Sequence, residues 1–546
     1  MKQIPKYKIY LPLIIAIAFV AGVWTAIALF SNSPKVFSLA VPPKDKIRTI
    51  LDFVRNEYVD KIDTDSLVEK AIPEILHNLD PHSIYIPADE ALAISEPLEG
   101  NFEGIGIQFN IQNDTIMVIN TISGGPSEKI GIRAGDRIVM INDSLVAGVG
   151  VKNSLVMKKL KGQRGTYVKV SVKRKGRDEL LSFNIKRDKI PIRSVDVAYM
   201  IDDKTAYIKI SSFSRTTHSE FVEAIFRLKN SGMENVILDV RSNSGGYMDA
   251  STNIVDEFLQ GGKTIVFTKG NARPRKTFYS SDNRLSCINL KLAVLIDEFS
   301  ASASEIVAGA IQDNDRGWVV GRRSFGKGLV QESTVFGDGS VLRLTTARYY
   351  TPSGRCIQKP YAEGYESYYE DILNRFMNGE FVEADSIKFA DSLTYYTASG
   401  RIVYGGGGIM PDIFVGMDTV RYTELINTVL DYGISYSFAF KYTDNNRDEL
   451  SELHSVETIE KYLDSVNIMR EFYNYLLENG IKFSYAEYNK SYETLRLQVY
   501  AYIARNIIDD KGFYPFINRI DNTIQKALLM LNSNESLITQ SLQYHR

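Results

Sequence analysis

Cysteine and histidine are scarce in this chain of 546 residues, and each shortage excludes a class of site. The 2 cysteines, Cys287 and Cys356, are too few for a disulfide framework or a cysteine-based zinc site. A disulfide between them and two inert thiols are both compatible with the sequence, and we expect two thiols. The 5 histidines follow no metal-binding spacing such as H-E-x-x-H. We therefore expect no metal site built on these residues.

The chain also lacks a strong charge of either sign. Its formal net charge is −2, so whole-chain electrostatics predict no nucleic-acid partner. The exception is local, because residues 151–190 contain thirteen lysines and arginines against three acids. Most runs of this kind are solvated surface. Contact with anionic lipid or with an acidic substrate is the alternative.

The N-terminus carries a long apolar run. Lys2, Lys6 and Lys8 precede the uncharged residues 9–30, a length that can span a bilayer. Because flanking lysines stay in the cytoplasm, the rest of the chain should lie outside it. We predict a single-pass inner-membrane anchor with a cytoplasmic stub, residues 1–31, and a periplasmic remainder. A signal peptide cleaved near residues 38–40 is the alternative, whereas the absence of a nearby cysteine excludes a lipoprotein.

The rest of the chain divides by its apolar pattern into four regions. Residues 32–97 read as a linker and helices, and residues 98–187 as short strands between glycine-rich turns. Residues 188–415 alternate strand and helix, with an insertion at about 361–400, and residues 416–546 read as helices. The pattern predicts a multidomain α+β protein around an α/β core. Dimerisation and docking of a partner are open roles for the last region.

A candidate nucleophile lies where a predicted strand, residues 292–296, leads into a predicted helix. Ser302 precedes that helix, whose first amides and positive dipole end would surround its hydroxyl. This is suitable geometry for a nucleophile beside an oxyanion site. The alternative is structural, since Ser302 and Glu305 also form the pattern of a helix capping box.

A lysine is the candidate base, because none of the histidines stands in a suitable place. Lys327 lies between two glycines, and burial could lower its pKa enough to make it neutral. Gln331 is four residues later, on the same face of a strand or helix, and could orient the amine. A solvated loop lysine is the alternative.

A glycine turn could supply the oxyanion donors. Gly245 and Gly246 follow a predicted strand, and one of their amides could act together with the amide of Ala303. A tight turn that needs positive φ would explain the same glycines.

A second glycine-relieved loop precedes a strand at Gly104, Ile105, Gly106 and Ile107. Successive amides in such a loop can hold a terminal carboxylate while the peptide adds to the sheet as a strand. This is the arrangement of a PDZ domain. A β-bulge is the alternative.

Together these segments resemble the carboxyl-terminal processing peptidases, also called tail-specific proteases. The matching stretches occur in the family's order over roughly residues 45–415, and are residues 79–83, 102–140, 243–246, 300–313, 326–331, 350–354 and 408–412. The resemblance implies that Ser302 is the nucleophile, Lys327 the general base and Gln331 its orienting partner. It also implies a core of the ClpP/crotonase type with an inserted PDZ domain, and no cofactor. The family usually has a proline where this chain has Ser244.

The function predicted from the sequence is therefore extracytoplasmic cleavage of proteins near their C-termini, with the protein tail as substrate. A homo-oligomer or an activating partner is compatible with this. One alternative is a catalytically silent PDZ adaptor that binds tails. Another is a crotonase-like acyl-CoA enzyme, which the PDZ-like region and the anchor disfavour.

Overall fold

The computed structural model describes residues 6–31, 46–284, 286–387, 391–419 and 421–533, in two compact units, Met1–Ile72 and Pro73–Arg546. The first unit contains α1 (Lys6–Ser31) and α2 (Lys46–Glu57), and the division falls within α3 (Thr64–His77). In α1, Tyr10–Ala28 has a mean hydropathy of 2.3 and contains no buried residue. This stretch is long and apolar enough to cross a membrane. A signal sequence near the N-terminus would meet the same criteria of length and hydropathy. The alternative cleavage site at residues 38–40 lies outside the described residues.

A six-stranded sheet forms the centre of the second unit. In spatial order its strands are β10 (Val195–Met200), β11 (Thr205–Ile210), β12 (Asn235–Asp239), β15 (Lys291–Ile296), β16 (Trp318–Gly321) and β21 (Ile413–Phe414). β10 is antiparallel to β11 and the other pairs are parallel. The strand predicted at residues 292–296 is confirmed as β15. The apolar runs of β12 and β15 are typical of parallel strands covered on both faces.

Helices cover both faces of this sheet. On one face α7 (Thr217–Lys229), α8 (Met248–Asp256) and α9 (Ala303–Asp313) share an apolar core with Ile208 and Val294. On the other face α18 (Asn522–Asn532) packs Ile524 and Met530 in a cluster with Tyr207 and Leu295. Since α18 belongs to the predicted C-terminal extension, that extension supplies one layer of the core.

The second unit also contains a second sheet of five strands, one of which carries Gln331. Its strands are β1 (Ile84–Ile86), β13 (Thr264–Lys269), β14 (Lys276–Tyr279), β17 (Leu329–Val335) and β18 (Val341–Tyr350). β18 pairs with both β1 and β17. β1, which precedes the PDZ-like region in the chain, is thereby joined through β18 to β17, the strand that carries Gln331.

The PDZ-like region follows α4 (Ala88–Glu99). It begins and ends with the antiparallel pair β2 (Asn101–Gly104) and β9 (Asp188–Pro191). Between them lie β3 (Ile107–Gln112), β4 (Thr115–Thr121), α5 (Pro126–Lys129), β5 (Arg137–Ile141), β6 (Ser144–Leu145), α6 (Asn153–Leu160), β7 (Tyr167–Lys173) and β8 (Leu181–Lys186). β3 is an edge strand of the sheet that β3, β4, β5, β6, β7 and β8 form. Most basic side chains of residues 151–190 are exposed, as in a solvated surface.

The insertion and the C-terminal region complete the fold. The insertion contains α10 (Tyr365–Met377) and the hairpin β19 (Thr394–Tyr396) and β20 (Ile402–Tyr404). The C-terminal helices before α18 share a separate core, and are α11 (Glu424–Asp431), α12 (Ile434–Asn445), α13 (Arg447–Leu450), α14 (Val456–Ser465), α15 (Ile468–Glu478), α16 (Tyr485–Ile508) and α17 (Asp510–Ile517). They also contact the PDZ-like region, where Arg137 pairs with Asp444 at 2.7 Å.

Candidate active site

Ser302 occupies a constrained turn between β15 and α9. It is the residue before the first turn of α9, at φ 56° and ψ −112°. Residues other than glycine rarely adopt this conformation, and it persists only where the surroundings hold it. Ala301, Ala303 and Ser304 are buried while Ser302 is partly exposed. The turn thus presents this serine and encloses its neighbours.

The turn at residues 243–246 is fastened to the Ser302 turn by Asn243, which is fully buried. The Asn243 carbonyl accepts the Ala301 amide at 3.0 Å and the Ser304 hydroxyl at 2.8 Å. Its side-chain oxygen accepts the Gly245 amide at 2.8 Å. Ser244 is exposed. The turn is therefore fixed by the asparagine, which explains how it tolerates a serine where the related family usually has proline.

Two glycines at this turn are required by close approach. Gly245 has φ +108°, and a Cβ there would lie 2.8 Å from Ser302 Cβ and 3.1 Å from the Ala303 nitrogen. Gly246 has φ +142°, and a Cβ there would lie 2.2 Å from the Phe213 oxygen. Gly246 is exposed. Of the two predicted turn amides, that of Gly245 is used by Asn243, so Gly246 is the one open to a ligand.

Glu305 joins the serine to the lysine segment. Its Oε2 accepts the backbone amides of Ser302 at 2.8 Å and Lys327 at 2.9 Å. Its Oε1 accepts the Ser324 hydroxyl at 2.6 Å and the Gly326 amide at 2.7 Å. Burial raises the pKa of Glu305, while the four donated bonds favour its carboxylate form. The bond from the Ser302 amide to the Glu305 carboxylate is one half of the predicted capping box. The same carboxylate also binds the amides of Gly326 and Lys327, in the segment that carries the candidate base.

Tyr349 makes a second connection between the two segments. Its hydroxyl lies 3.0 Å from the Ser302 carbonyl oxygen and 2.7 Å from that of Lys327. Burial raises its pKa well above the ordinary value, so the phenol keeps its proton and can donate to either carbonyl. Ser302 and Lys327 are thus held together through their backbones at two points.

Lys327 is partly buried and has the electrostatics of a base. Burial and the Arg343 charge lower the pKa of Lys327 to about 8, against the opposing charges of Glu305 and Asp80. Its Nζ donates to Gln331 Oε1 at 3.1 Å. Within the part of the chain that is described, no hydrogen bond joins the Ser302 hydroxyl to this amine. Such bonds often form only when substrate is bound.

The loop of residues 80–83 completes the surroundings of the lysine. Gln331 Nε2 donates to the His82 carbonyl. Asp80 accepts the amides of His82 at 2.8 Å and Ser83 at 2.9 Å. The sequence marks this loop as part of the family resemblance but assigns it no function. Its contact with Gln331 spans 249 residues of sequence, so no local pattern reveals it.

The predicted carboxylate loop lies in the PDZ-like region, apart from the serine turn in sequence. Ile105 and Gly106 are buried, and Gly106 has φ +73°. The Ile105 carbonyl accepts the Ser127 hydroxyl at 2.6 Å, and the Gly106 carbonyl accepts the Ile122 amide at 3.0 Å. Among the described residues, the backbone amides of Ile105 and Gly106 donate no hydrogen bond. The loop therefore offers two unused donors beside edge strand β3.

No group of three or more His, Cys, Asp and Glu side chains is placed to hold a metal ion among the residues that the structure covers. Cys287 is buried and Cys356 is partly buried, and both are free thiols. Burial raises the pKa of Cys287 to about 11, so this thiol is a poor nucleophile. The prediction that the two cysteines are thiols and not a disulfide is confirmed.

Comparison with known proteins places these residues in a family. The profile of peptidase family S41 matches residues 204–365, and that of the PDZ domain matches residues 104–185. A family of unknown function matches residues 425–509. Ser302 and Lys327 fall inside the first match, and the carboxylate loop falls inside the second.

Curated relatives agree with these matches. A carboxy-terminal-processing protease of Bartonella bacilliformis is 34% identical over 357 residues, which cover 63% of this chain and 80% of the relative. The carboxy-terminal processing protease CtpB of Bacillus subtilis is 34% identical over 318 residues, 58% of this chain and 65% of the relative. The aligned part thus spans slightly less than two thirds of the Bacillus protein.

A solved structure, the photosystem II D1 C-terminal processing protease, is 27% identical and has a TM-score of 0.34, covering 58% of this chain and 84% of its own. From the profiles and the curated relatives, this chain belongs to the carboxy-terminal processing proteases of peptidase family S41.

Proposed function

We propose that this S41-family protein is an extracytoplasmic serine endopeptidase that captures protein C-termini and cleaves near them with a Ser302–Lys327 dyad. The observation that carries the proposal is the state of Lys327. Its side chain is partly buried, its amine has a pKa near 8 and donates to Gln331, and its backbone amide shares one Glu305 oxygen with that of Ser302. A solvated loop lysine would have none of these features.

The first half of the reaction acylates Ser302. Neutral Lys327 accepts the proton of the Ser302 hydroxyl as Oγ attacks the peptide carbonyl carbon, and an O–C bond forms. The lysine ammonium then gives this proton to the departing amine as the C–N bond breaks. The product is an ester of Ser302 with the N-terminal part of the substrate.

The second half releases that ester. Lys327 takes a proton from a water molecule, whose oxygen attacks the ester carbon. The proton passes to Ser302 Oγ as the O–C bond breaks, which restores both groups. Gln331 receives an amine hydrogen bond throughout, so the lone pair of the neutral lysine is left for the transferred proton.

The amides of Gly246 and Ala303 are the proposed oxyanion donors. Gly246 is exposed at the turn, and Ala303 is the first residue of α9, whose N-terminal amides have no partner within the helix. Gly245 has a different part, because it lets the turn approach Ser302 to within van der Waals contact. Each oxyanion donor contributes about 10²–10³ to the rate.

Tail capture is assigned to Gly104, Ile105, Gly106 and Ile107. The unused amides of Ile105 and Gly106 would bind the terminal carboxylate, and edge strand β3 would pair with the rest of the tail. The related proteins named above process carboxy termini, which supports this substrate class. The exposed basic side chains of residues 151–190 also suit acidic substrate segments.

The location and finer architecture are part of the proposal. The exposed apolar stretch Tyr10–Ala28 would anchor the protein in the inner membrane, with the protease in the periplasm. The core would be of the ClpP/crotonase type with the PDZ domain inserted. A homo-oligomer or an activating partner is compatible with the site.

A serine-reactive fluorophosphonate probe distinguishes the enzyme from a silent PDZ adaptor. On the full-length chain in detergent we expect covalent labelling at Ser302, located by peptide mass spectrometry, and none in Ser302→Ala. Ser219→Ala is the matched control, since Ser219 is exposed on α7 and its hydroxyl bonds only the Thr216 carbonyl among described groups, and this variant should still be labelled. An intact chain that binds tails but is never labelled would support the adaptor instead.

A further inference from the structure

The side-chain amide of Gln331 has a defined orientation because of its second partner. Its nitrogen faces the backbone carbonyl of His82, and its oxygen faces the Lys327 amine. A carbonyl can only accept a hydrogen bond, so the amide nitrogen must point to His82. The oxygen must then point to Lys327. The position of one backbone carbonyl therefore decides whether the base meets an acceptor or a donor.

We propose that Tyr368 of the insertion helix α10 and the loop of residues 80–83 are positioning elements for the base, because they hold the His82 carbonyl that sets the Gln331 amide. The inference rests on the proposed dyad and assigns a function to the insertion. Neither Tyr368 nor His82 touches the reacting atoms in this account. Both act through Gln331.

The loop is held first by its own residues and by β18. Asp80 Oδ1 accepts the His82 and Ser83 amides, and its Oδ2 accepts the Ser83 hydroxyl at 2.5 Å. From β18, the Thr345 hydroxyl donates to Asp80 at 3.0 Å and the Thr345 amide to Ser83 Oγ at 3.1 Å. Asp80 and Ser83 are buried, so water does not compete for these bonds.

Helix α10 holds the opposite side of the loop. The Tyr368 hydroxyl lies 2.9 Å from His82 Nε2, and the two rings meet edge to face at 5.2 Å. The next residue, Tyr369, donates its hydroxyl to the Pro81 carbonyl at 3.2 Å. Two consecutive tyrosines thus form hydrogen bonds with two consecutive loop residues, Pro81 and His82. Tyr368 is itself buried, and Lys359 Nζ donates to its carbonyl at 2.8 Å.

The charged groups around Lys327 do not substitute for the positioning of the Gln331 amide by the His82 carbonyl. Lys327 is influenced by the charges of Arg343 of β18, Glu305 of α9 and Asp80 of the loop. Burial, with the Lys327 and Lys359 charges, lowers the pKa of His82 to about 3. The imidazole is therefore neutral over the working range, and its bond to Tyr368 is a neutral one.

Loss of the Tyr368 hydroxyl should act on the base in a definite direction. With the loop less constrained, the Gln331 amide can turn its nitrogen toward Lys327. A donor disfavours the ammonium and occupies the lone pair of the amine. The pKa of Lys327 should fall, and the rate at high pH should fall as well.

The test compares pH–rate profiles of the full-length chain in detergent, with an internally quenched peptide that ends in two alanines and a free carboxylate. For Tyr368→Phe we expect kcat at high pH to fall about five- to tenfold with little change in KM, because the variant loses the bond to His82 Nε2 and a longer bond of 3.4 Å from Gln358 Nε2. The acid limb should move to lower pH. Tyr396→Phe, at an exposed tyrosine of the same insertion, should match wild type.

A double-mutant cycle then isolates the path. In the Gln331→Ala background, Tyr368→Phe should produce no further change in kcat or in the limb. An equal loss in both backgrounds with an unmoved limb would overturn the inference, as would a Tyr368→Phe profile that superimposes on wild type. Ser302→Ala and Lys327→Ala are measured in parallel. If either variant cleaves the peptide, the dyad itself has failed, which is a different result.

Discussion

The serine turn and the PDZ-like region are held to the rest of the molecule in opposite ways. The turn is fixed by fully buried groups, namely Asn243, Glu305 and Tyr349. The PDZ-like region meets the C-terminal helices through solvent-accessible groups, such as Arg137 with Asp444 and Asn120 with Asp509. The Arg137 and Asp444 side chains are 34% and 14% exposed, and an ion pair at the surface contributes about 0–1 kcal/mol.

This difference suits the two functions that we propose for these regions. A buried network presents preorganised dipoles to the reaction, which is where most electrostatic catalysis originates. A region attached by contacts that water can replace is free to bind tails of different sequence. We therefore expect changes at the serine turn to lower kcat, and changes at the carboxylate loop to raise KM.

The largest expected effect comes from Gly245→Ala. The added Cβ would lie 2.8 Å from Ser302 Cβ at a φ of +108°, so the turn must move away from the serine. We expect kcat to fall by about 10²–10³, the loss associated with one misplaced oxyanion donor. Steady-state cleavage of the quenched peptide measures this.

Gly232→Ala is the matched control for that variant. Gly232 also has positive φ, at +89°, but a Cβ there would meet no atom within 4 Å. Its substitution should lower the thermal midpoint slightly and leave kcat unchanged. Equal losses of kcat in the two variants would show that backbone strain, not the approach to Ser302, controls the rate.

A smaller effect is expected when the tail loses its charge. Replacing the substrate's terminal carboxylate by an amide removes the group that the Ile105 and Gly106 amides would bind. Since a hydrogen bond to a charged group contributes about 1.5–3 kcal/mol, KM should rise roughly 10- to 100-fold. The value of kcat should change little. A fall in kcat at constant KM would contradict the division between the two regions.

The sequence predicts the parts of the site whose signals are local. Ser302 at a strand-to-helix turn, Lys327 between glycines and Gln331 four residues later are all read from short segments. The strand at residues 292–296 is predicted for the same reason, because it is a continuous apolar run.

The remaining features depend on contacts between distant segments. Glu305 is predicted only as a capping residue, and its bonds to Gly326 and Lys327 require the tertiary fold. The contact of His82 with Gln331 and the packing of α18 under the central sheet are likewise set by pairings far apart in the chain. No pattern of spacing within a segment encodes them.

The most direct test of the dyad is the pH dependence of Ser302 labelling by the fluorophosphonate probe. With the pKa of Lys327 near 8, only about a tenth of the amine is neutral at pH 7. The labelling rate should rise about tenfold from pH 7 to a plateau above pH 9, and Lys327→Ala should abolish it. Labelling that persists in Lys327→Ala, or that titrates near 6.5 as a histidine would, contradicts the account.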